Sequence, residues 1–197
     1  MKNSGIAFVF LFLALVFLSG QAYSQMELVK DINTTNSVGS SEVQNFCEVN
    51  GVLYFTATDP IHGNELWKTD GTIAGTVLVK DIEPGSDGSN PSSLCNLNGT
   101  LIFVASTSLY GTEIWKSDGT VEGTIMIKDI YQGHSSSPVL ITIINNELYF
   151  IAADGIHGYE LWKSDGTKNG TVMVKDINPG PDASDISELT NINGTLF

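Results

Sequence analysis

The side chains of this sequence that could act at a site are few, and they recur at a fixed spacing. Asp59 with His62, and Asp154 with His157, each place a carboxylate three residues before an imidazole. Such a pair can set a His tautomer or give two ligands to a metal. The intervening copy has Tyr110 in place of the His. Trp67, Trp115 and Trp162 offer indole faces of the kind that stack on sugar rings. Asp70-Gly71, Asp118-Gly119 and Asp165-Gly166 set a carboxylate beside a tight turn, in an acidic chain where Ca²⁺ would find oxygen ligands.

Each of these has a plainer competitor. The two Asp–His copies lie two repeats apart and bring only two protein ligands each, short of the three or four of a zinc site, so loop punctuation is preferred over metal. Asp70 and its copies give one carboxylate per turn without the twelve-residue EF-hand spacing, so an Asx-turn is preferred and Ca²⁺ is kept only as the alternative to no cofactor. One Trp per repeat, in mid-strand, is placed for packing between repeats. Burying 150–250 Å² at ~25 cal/mol/Å² is worth roughly 4–6 kcal/mol, a scale suited to holding repeats together. Asp59, His62, Tyr110, Asp154 and His157 form the candidate ligand rim. No catalytic residue is assigned: the sequence has no Gly-x-Ser-x-Gly elbow, no His-Glu-x-x-His and no phosphate-binding Gly-rich loop.

The elements that must position these residues follow from one string. Glu65-Leu66-Trp67-Lys68-Thr69-Asp70-Gly71-Thr72 returns at Glu113 to Thr120 and at Glu160 to Thr167, with the tryptophans 48 (67 to 115) and 47 (115 to 162) residues apart. That period marks propellers, solenoids and arrays. Turn signals divide each repeat into four strands. Strand a ends at Asn50-Gly51, a hairpin signal with positive φ, and strand b is Val52 to Ala57. Strand c carries Glu65 to Thr69, and strand d carries Thr76 to Ile82. Both glycines of Asp70-Gly71-Thr72-Ile73-Ala74-Gly75 recur in every copy, which predicts two backbone positions that disfavour a Cβ. The fold expected is all-β, a β-propeller-like array of four-stranded antiparallel blades, with a sandwich of repeated hairpins as the alternative. The a–b and c–d turns share one rim; the b–c loops and d–a linkers share the other, more varied and polar, which holds the candidate ligand residues.

The termini carry partial repeats. Met26 to Ile32 reads as a strand d with no strand c before it, and Ser187 to Phe197 as strands a and b with no c after them. Three whole repeats fall below the four to eight blades of propellers, so further blades are expected beyond Phe197. Lys2, the apolar run Ile6 to Leu18 and the small residues up to Ser24 have the order of a cleaved secretory signal, 1–24. The run is too short for the ~20 apolar residues of a membrane-spanning helix. Cys47 and Cys95 occupy the same position in successive repeats, and neighbouring sheets ~10 Å apart would leave them as free thiols. Nine Lys and no Arg stand against 22 acidic residues, for a net charge of −13, which disfavours nucleic acid as a partner. Asn33, Asn98, Asn169 and Asn193 match the N-glycosylation pattern, and three of them fall in the repeat's own turns.

These strings, with Gly75-Thr76, Val79-Lys80-Asp81-Ile82 and the Asn-Gly-x-Leu-x-Phe hairpin, resemble the ELWxxDGT repeat family over residues 26–197. Departures are Ile114 for Leu, Ile127 for Val, and Asn146 where the other hairpins have Gly. The resemblance implies a large secreted or surface-attached bacterial protein, often from Bacteroidota, with propeller-like repeats and sometimes a type IX secretion sorting domain. It implies no established activity. The function expected is a secreted or cell-surface scaffold for protein or glycan interaction; the alternative is an extracellular polysaccharide-active hydrolase working from a propeller rim. N-terminal sequencing of exported protein is expected to begin near Gln25, and an intact Met1 in washed membranes would contradict it.

Overall fold

The computed structural model describes residues 29–34 and 40–197. The signal segment 1–24 and Met26 to Leu28 lie outside the described residues. Among the described residues every regular element is a β-strand, and no helix is long and apolar enough to cross a membrane.

Three four-stranded antiparallel meanders follow one another. Blade 1 is β1 (Gln44–Val49), β2 (Val52–Asp59), β3 (Gly63–Thr69) and β4 (Val77–Lys80), hydrogen-bonded in that order. Blade 2 is β5 (Ser92–Leu97), β6 (Thr100–Thr107), β7 (Gly111–Ser117) and β8 (Ile125–Lys128). Blade 3 is β9 (Val139–Ile144), β10 (Glu147–Ala153), β11 (Tyr159–Ser164) and β12 (Val172–Lys175). A two-stranded hairpin, β13 (Asn191–Ile192) and β14 (Thr195–Leu196), follows. The turns that close strands a and b have positive φ at both residues, 53° and 80° for Asn50-Gly51. Asn145-Asn146 adopts the same shape at 49° and 66°, so the missing Gly costs local strain but not the hairpin.

Blades pack face to face. Phe103, Ala105 and Trp115 of blade 2 cover Tyr54, Leu66, Val79 and Ile82 of blade 1. Phe150, Ala152 and Trp162 of blade 3 cover Ile102, Ile114, Ile127 and Ile130 of blade 2. The inner-packed strands β2, β6 and β10 therefore bury residues on both faces, which is why they read as nearly continuous apolar runs. The matching face of blade 3 has no such cover: Val174 and Ile177 are 46% and 48% exposed, where Val79 and Ile82 are 3% and 6%.

Five of the nine lysines tie adjacent units together. Lys68 and Lys116 donate to the carbonyls of Gly119 and Gly166 at 2.7 and 3.0 Å. Lys30, Lys80 and Lys128 reach the carbonyls of Thr76, Thr124 and Thr171 at 2.7–2.8 Å. At the last blade Lys163 turns back to the Glu147 carboxylate at 2.8 Å.

Two expectations need correction. Residues 29–32 are not in a strand: a strand d pairs with a strand c, and among the described residues none lies beside it. They still hold the strand-d place, since Ile32 packs on Phe55, Ala57 and Trp67 and Lys30 makes its tie. The 10 Å spacing also fails at the inner strands, where β1 and β5 bring Cα atoms within 8 Å because the blades converge there. Cys47 and Cys95 are nonetheless free and half-buried. Burial pushes the Cys95 thiol up to about 12, with Cys47 adding to it, so it stays protonated and unreactive.

Both glycines of the c–d turn are explained, for different reasons. Gly71 and Gly166 sit at φ 89° and 86°, whereas a Cβ on Gly75 would lie 1.9 Å from the Asp70 carboxylate. Gly166→Val is expected to lower the denaturation midpoint by more than His62→Ala, because a β-branched residue is strained at positive φ. Equal midpoints for the two variants would remove the strained-turn account.

Candidate functional site

The b–c loops stand on the ends of strands b and c, and Asp59 shapes the first of them. One of its carboxylate oxygens accepts the backbone N–H groups of Ile61 and His62 at 2.7 and 2.8 Å, and the other takes His62 Nδ1 at 2.7 Å. Asp154 repeats this with Ile156 and His157 at 2.9 and 2.9 Å, and with His157 Nδ1 at 2.7 Å. In blade 2 Thr107 Oγ1 accepts the Tyr110 N–H at 3.2 Å, a single bond in place of three. Gly63, at φ 67°, ends the loop where a Cβ would strike the backbone of Ser86 at 2.5 Å.

Each Asp–His pair is thus closed on itself. Burial pushes the Asp59 carboxyl up, but the hydrogen bonds from His62 and the loop N–H groups outweigh it and hold it below the usual range. The same bond from Asp59 raises His62, and Asp154 raises His157. The structure keeps Asp59 with His62 and Asp154 with His157, and it does not bring the two pairs together. Among the described residues no group of three or more His, Cys, Asp and Glu side chains could hold a metal ion.

The tryptophans are buried between blades, and Trp162 Nε1 donates to Ala152 O at 3.1 Å. An indole covered on its faces is not open to a sugar ring. In the c–d turns Asp70 Oδ1 accepts the Thr72 N–H at 2.9 Å and its hydroxyl at 2.7 Å, and Thr72 Oγ1 takes the Gly75 N–H at 2.9 Å. Asp118 and Asp165 bond Thr120 and Thr167 in the same way. Turn formation accounts for these carboxylates.

Two sets of residues escaped the sequence reading. Ile61, Leu109 and Ile156 sit at one loop position in the three blades, and each is 65–68% exposed. The signal was available: an apolar residue stands between the loop's polar residues in every copy. The second set is Glu65, Glu113 and Glu160, all fully buried on strand c. Glu65 takes the Ser89 hydroxyl at 2.6 Å and the Ser89 and Glu83 N–H groups at 2.8 and 3.1 Å. Glu113 takes the Ser136 hydroxyl at 2.6 Å and its N–H at 3.1 Å, and Glu160 takes the Ser184 hydroxyl. These latches fasten each d–a linker beneath the loop rim.

No protein-family model matches the chain, and no curated protein matches it. Among solved structures, one similar chain is a candidate exo-beta-1,3-galactanase from Bifidobacterium bifidum s17, at 14% identity and a TM-score of 0.39. The similarity covers 77% of this chain and 58% of that one. A likeness of this size carries no argument about fold or function, and the blade architecture stands on its own strand order and packing.

Burial raises the Glu113 carboxyl to about 7 against the pull of its Ser136 bonds, and burial raises Glu65 as well. A carboxyl raised in the folded state contributes stability that is fully present below its unfolded value of 4.5 and is lost as pH rises through about 7. Raised His62 and His157 act in the same direction over higher pH. The denaturation midpoint is therefore expected to fall between pH 5 and pH 7.5. Glu113→Gln should shrink that fall by an amount on the order of 1–3 kcal/mol, and an unchanged pH slope would contradict it.

Proposed function

We propose that this protein is an exported, cell-surface or secreted repeat scaffold of the ELWxxDGT type, and that its b–c loop rim contacts extracellular protein or glycan. The observation that carries the reading is the matched row Ile61, Leu109 and Ile156, solvent-exposed in three consecutive blades and flanked by His62, Tyr110 and His157. Exposed aliphatic side chains repeated at one rim, beside rings whose loops are held by hydrogen bonds, are the composition of a contact surface. The polar residues of the repeat string are meanwhile engaged within and between blades, which leaves the rim as the place where ligand chemistry can vary. Near-symmetry of the loops favours a scaffold over a hydrolase, since a hydrolase needs differently poised carboxylates and Asp59 and Asp154 are bound alike.

An array of extracellular glycans and purified surface proteins tests this. The Ile61→Asp/Leu109→Asp/Ile156→Asp variant is expected to lose at least roughly tenfold in affinity for whatever the unaltered protein retains, with its denaturation midpoint unchanged. Retention that survives this variant but fails with Ile73→Asp/Val121→Asp, on the opposite rim, would overturn the assignment.

A further inference from the structure

The linker from blade 2 to blade 3 differs from the one before it at a single contact. Glu83 and Tyr131 both follow the Lys-Asp-Ile of strand d, and Ser108 and Gly155 both precede the exposed aliphatic residue of a b–c loop. At the first junction the Glu83 carboxylate accepts the Ser108 N–H at 2.9 Å, which ties the linker to the next blade's loop. At the second the phenol ring of Tyr131 lies against Gly155, where a Cβ would run into Cε2 and Cζ of the ring. Gly155 sits at φ 83°, so its backbone and its missing side chain both suit the ring beside it. Glu83 shows that such a junction is held without an aromatic residue. Bridging alone therefore does not account for Tyr131, nor for the ring stacked on it.

That ring is His134, its centroid 4.7 Å from that of Tyr131 and its plane tilted by 24°. The His134 N–H donates to Tyr131 O at 2.7 Å, and Nδ1 lies 3.0 Å from Gln132 O. A carbonyl only accepts, so Nδ1 carries the proton of that bond and Nε2 of the neutral ring is left as an acceptor. The Asp129 carboxylate pins the turn by taking the Gly133 N–H at 3.1 Å. His134 is nonetheless exposed, and since one face of its ring lies on Tyr131, the face that meets solvent is the other. Neither His134 Nε2 nor Tyr131 Oη bonds another group among the described residues. The result is a fixed aromatic face with two unused polar groups at its border, joined through Gly155 to the rim residues Ile156 and His157.

This arrangement suits one class of ligand. A pyranose carries C–H groups on a face and hydroxyls around its edge, which match an aromatic plane bordered by an acceptor and a hydroxyl. The turn 129–134 and the loop 154–158 hold two carboxylates, Asp129 and Asp154, and no Lys or Arg, in a chain of net charge −13. An acidic sugar or a nucleotide would meet repulsion there. A peptide that adds through its backbone needs a free strand edge, which two rings on a turn do not offer.

We propose that the Tyr131–His134 stack is a subsite for one pyranose of a neutral glycan, the sugar's C–H face lying on the imidazole and its hydroxyls reaching Nε2 and the Tyr131 hydroxyl. The proposal rests on the reading of the b–c rim as a contact surface and gives one junction of that rim its ligand class.

Saturation-transfer difference NMR on the full chain tests it, with cellohexaose, laminarihexaose and mannohexaose as probes and hexagalacturonate as the acidic control. Saturable binding of at least one neutral hexasaccharide is expected, with the largest transfer to the C–H protons of one ring face and none to the acidic control. His134→Ala should weaken binding by roughly tenfold while leaving the denaturation midpoint nearly unchanged, because the side chain is exposed. Tyr131→Phe keeps the stack and should weaken binding less than Tyr131→Leu; if Tyr131→Leu loosens the linker, His134→Ala decides alone. No saturable binding of any neutral hexasaccharide at millimolar concentration, equal binding of hexagalacturonate, or an affinity indifferent to His134→Ala overturns the proposal. An affinity that falls with Ile61→Asp/Leu109→Asp but not with His134→Ala removes this subsite and leaves the rim reading standing, whereas an affinity that falls with neither removes both.

Discussion

A glutamate carboxylate buried on the third strand of every blade is the interaction on which the array depends. An ion taken out of water costs several kcal/mol unless its lone pairs are met, and Glu65, Glu113 and Glu160 meet theirs with a serine hydroxyl and backbone N–H groups of the linker to the next blade. The carboxylate therefore cannot be satisfied by its own sheet. Only a correctly placed linker does it, so the latch fixes where the next blade begins and at what height strand a starts.

Once the linker is fixed, the aspartate, threonine and lysine side chains of the repeat string have internal partners, whereas the indole N–H groups of Trp67 and Trp115 are buried without one among the described residues. The aspartate shapes the c–d turn, the threonine hydroxyls close it, and the lysines of strands c and d cross to carbonyls of the neighbouring unit. Asn50, Asn98 and Asn145 extend the ladder at the a–b turns, each donating its amide to the next turn. A string of eight residues with so many internal obligations tolerates little change, which accounts for its threefold recurrence without any ligand. Freedom to vary is left to the b–c loop tips, where Pro60, Ser108 and Gly155 differ while the exposed aliphatic residue returns.

The latch also sets the response to pH and to incomplete assembly. Glutamates pushed toward neutrality by burial make the array tighter in mild acid than at neutral pH, and the −13 net charge adds repulsion in the same direction. At the far end of the described array the latch of Glu160 with Ser184 is made, while Val174 and Ile177 of blade 3 stay exposed without a covering sheet.

The sequence by itself determined the period, the four strands of each blade, the turn at Asn50-Gly51 and the need for two glycines in the c–d turn. These are local consequences of side-chain alternation and of backbone positions that exclude a Cβ, so they are written within a few neighbouring residues. It also placed the tryptophans in the packing and the Asp–His pairs in the loops. The tertiary structure alone decided the rest. That Glu65 is buried could not be read from a charged residue in a polar neighbourhood, because its partners Glu83 and Ser89 lie 18 and 24 residues away and meet it only when the linker folds back. The strand-a bulges, with Asn45, Ser93 and Leu140 at positive φ, carry no shared residue type to announce them. The failure of 29–32 to form a strand has the same cause: a strand is a property of a pair, and its apolar pattern cannot supply the partner.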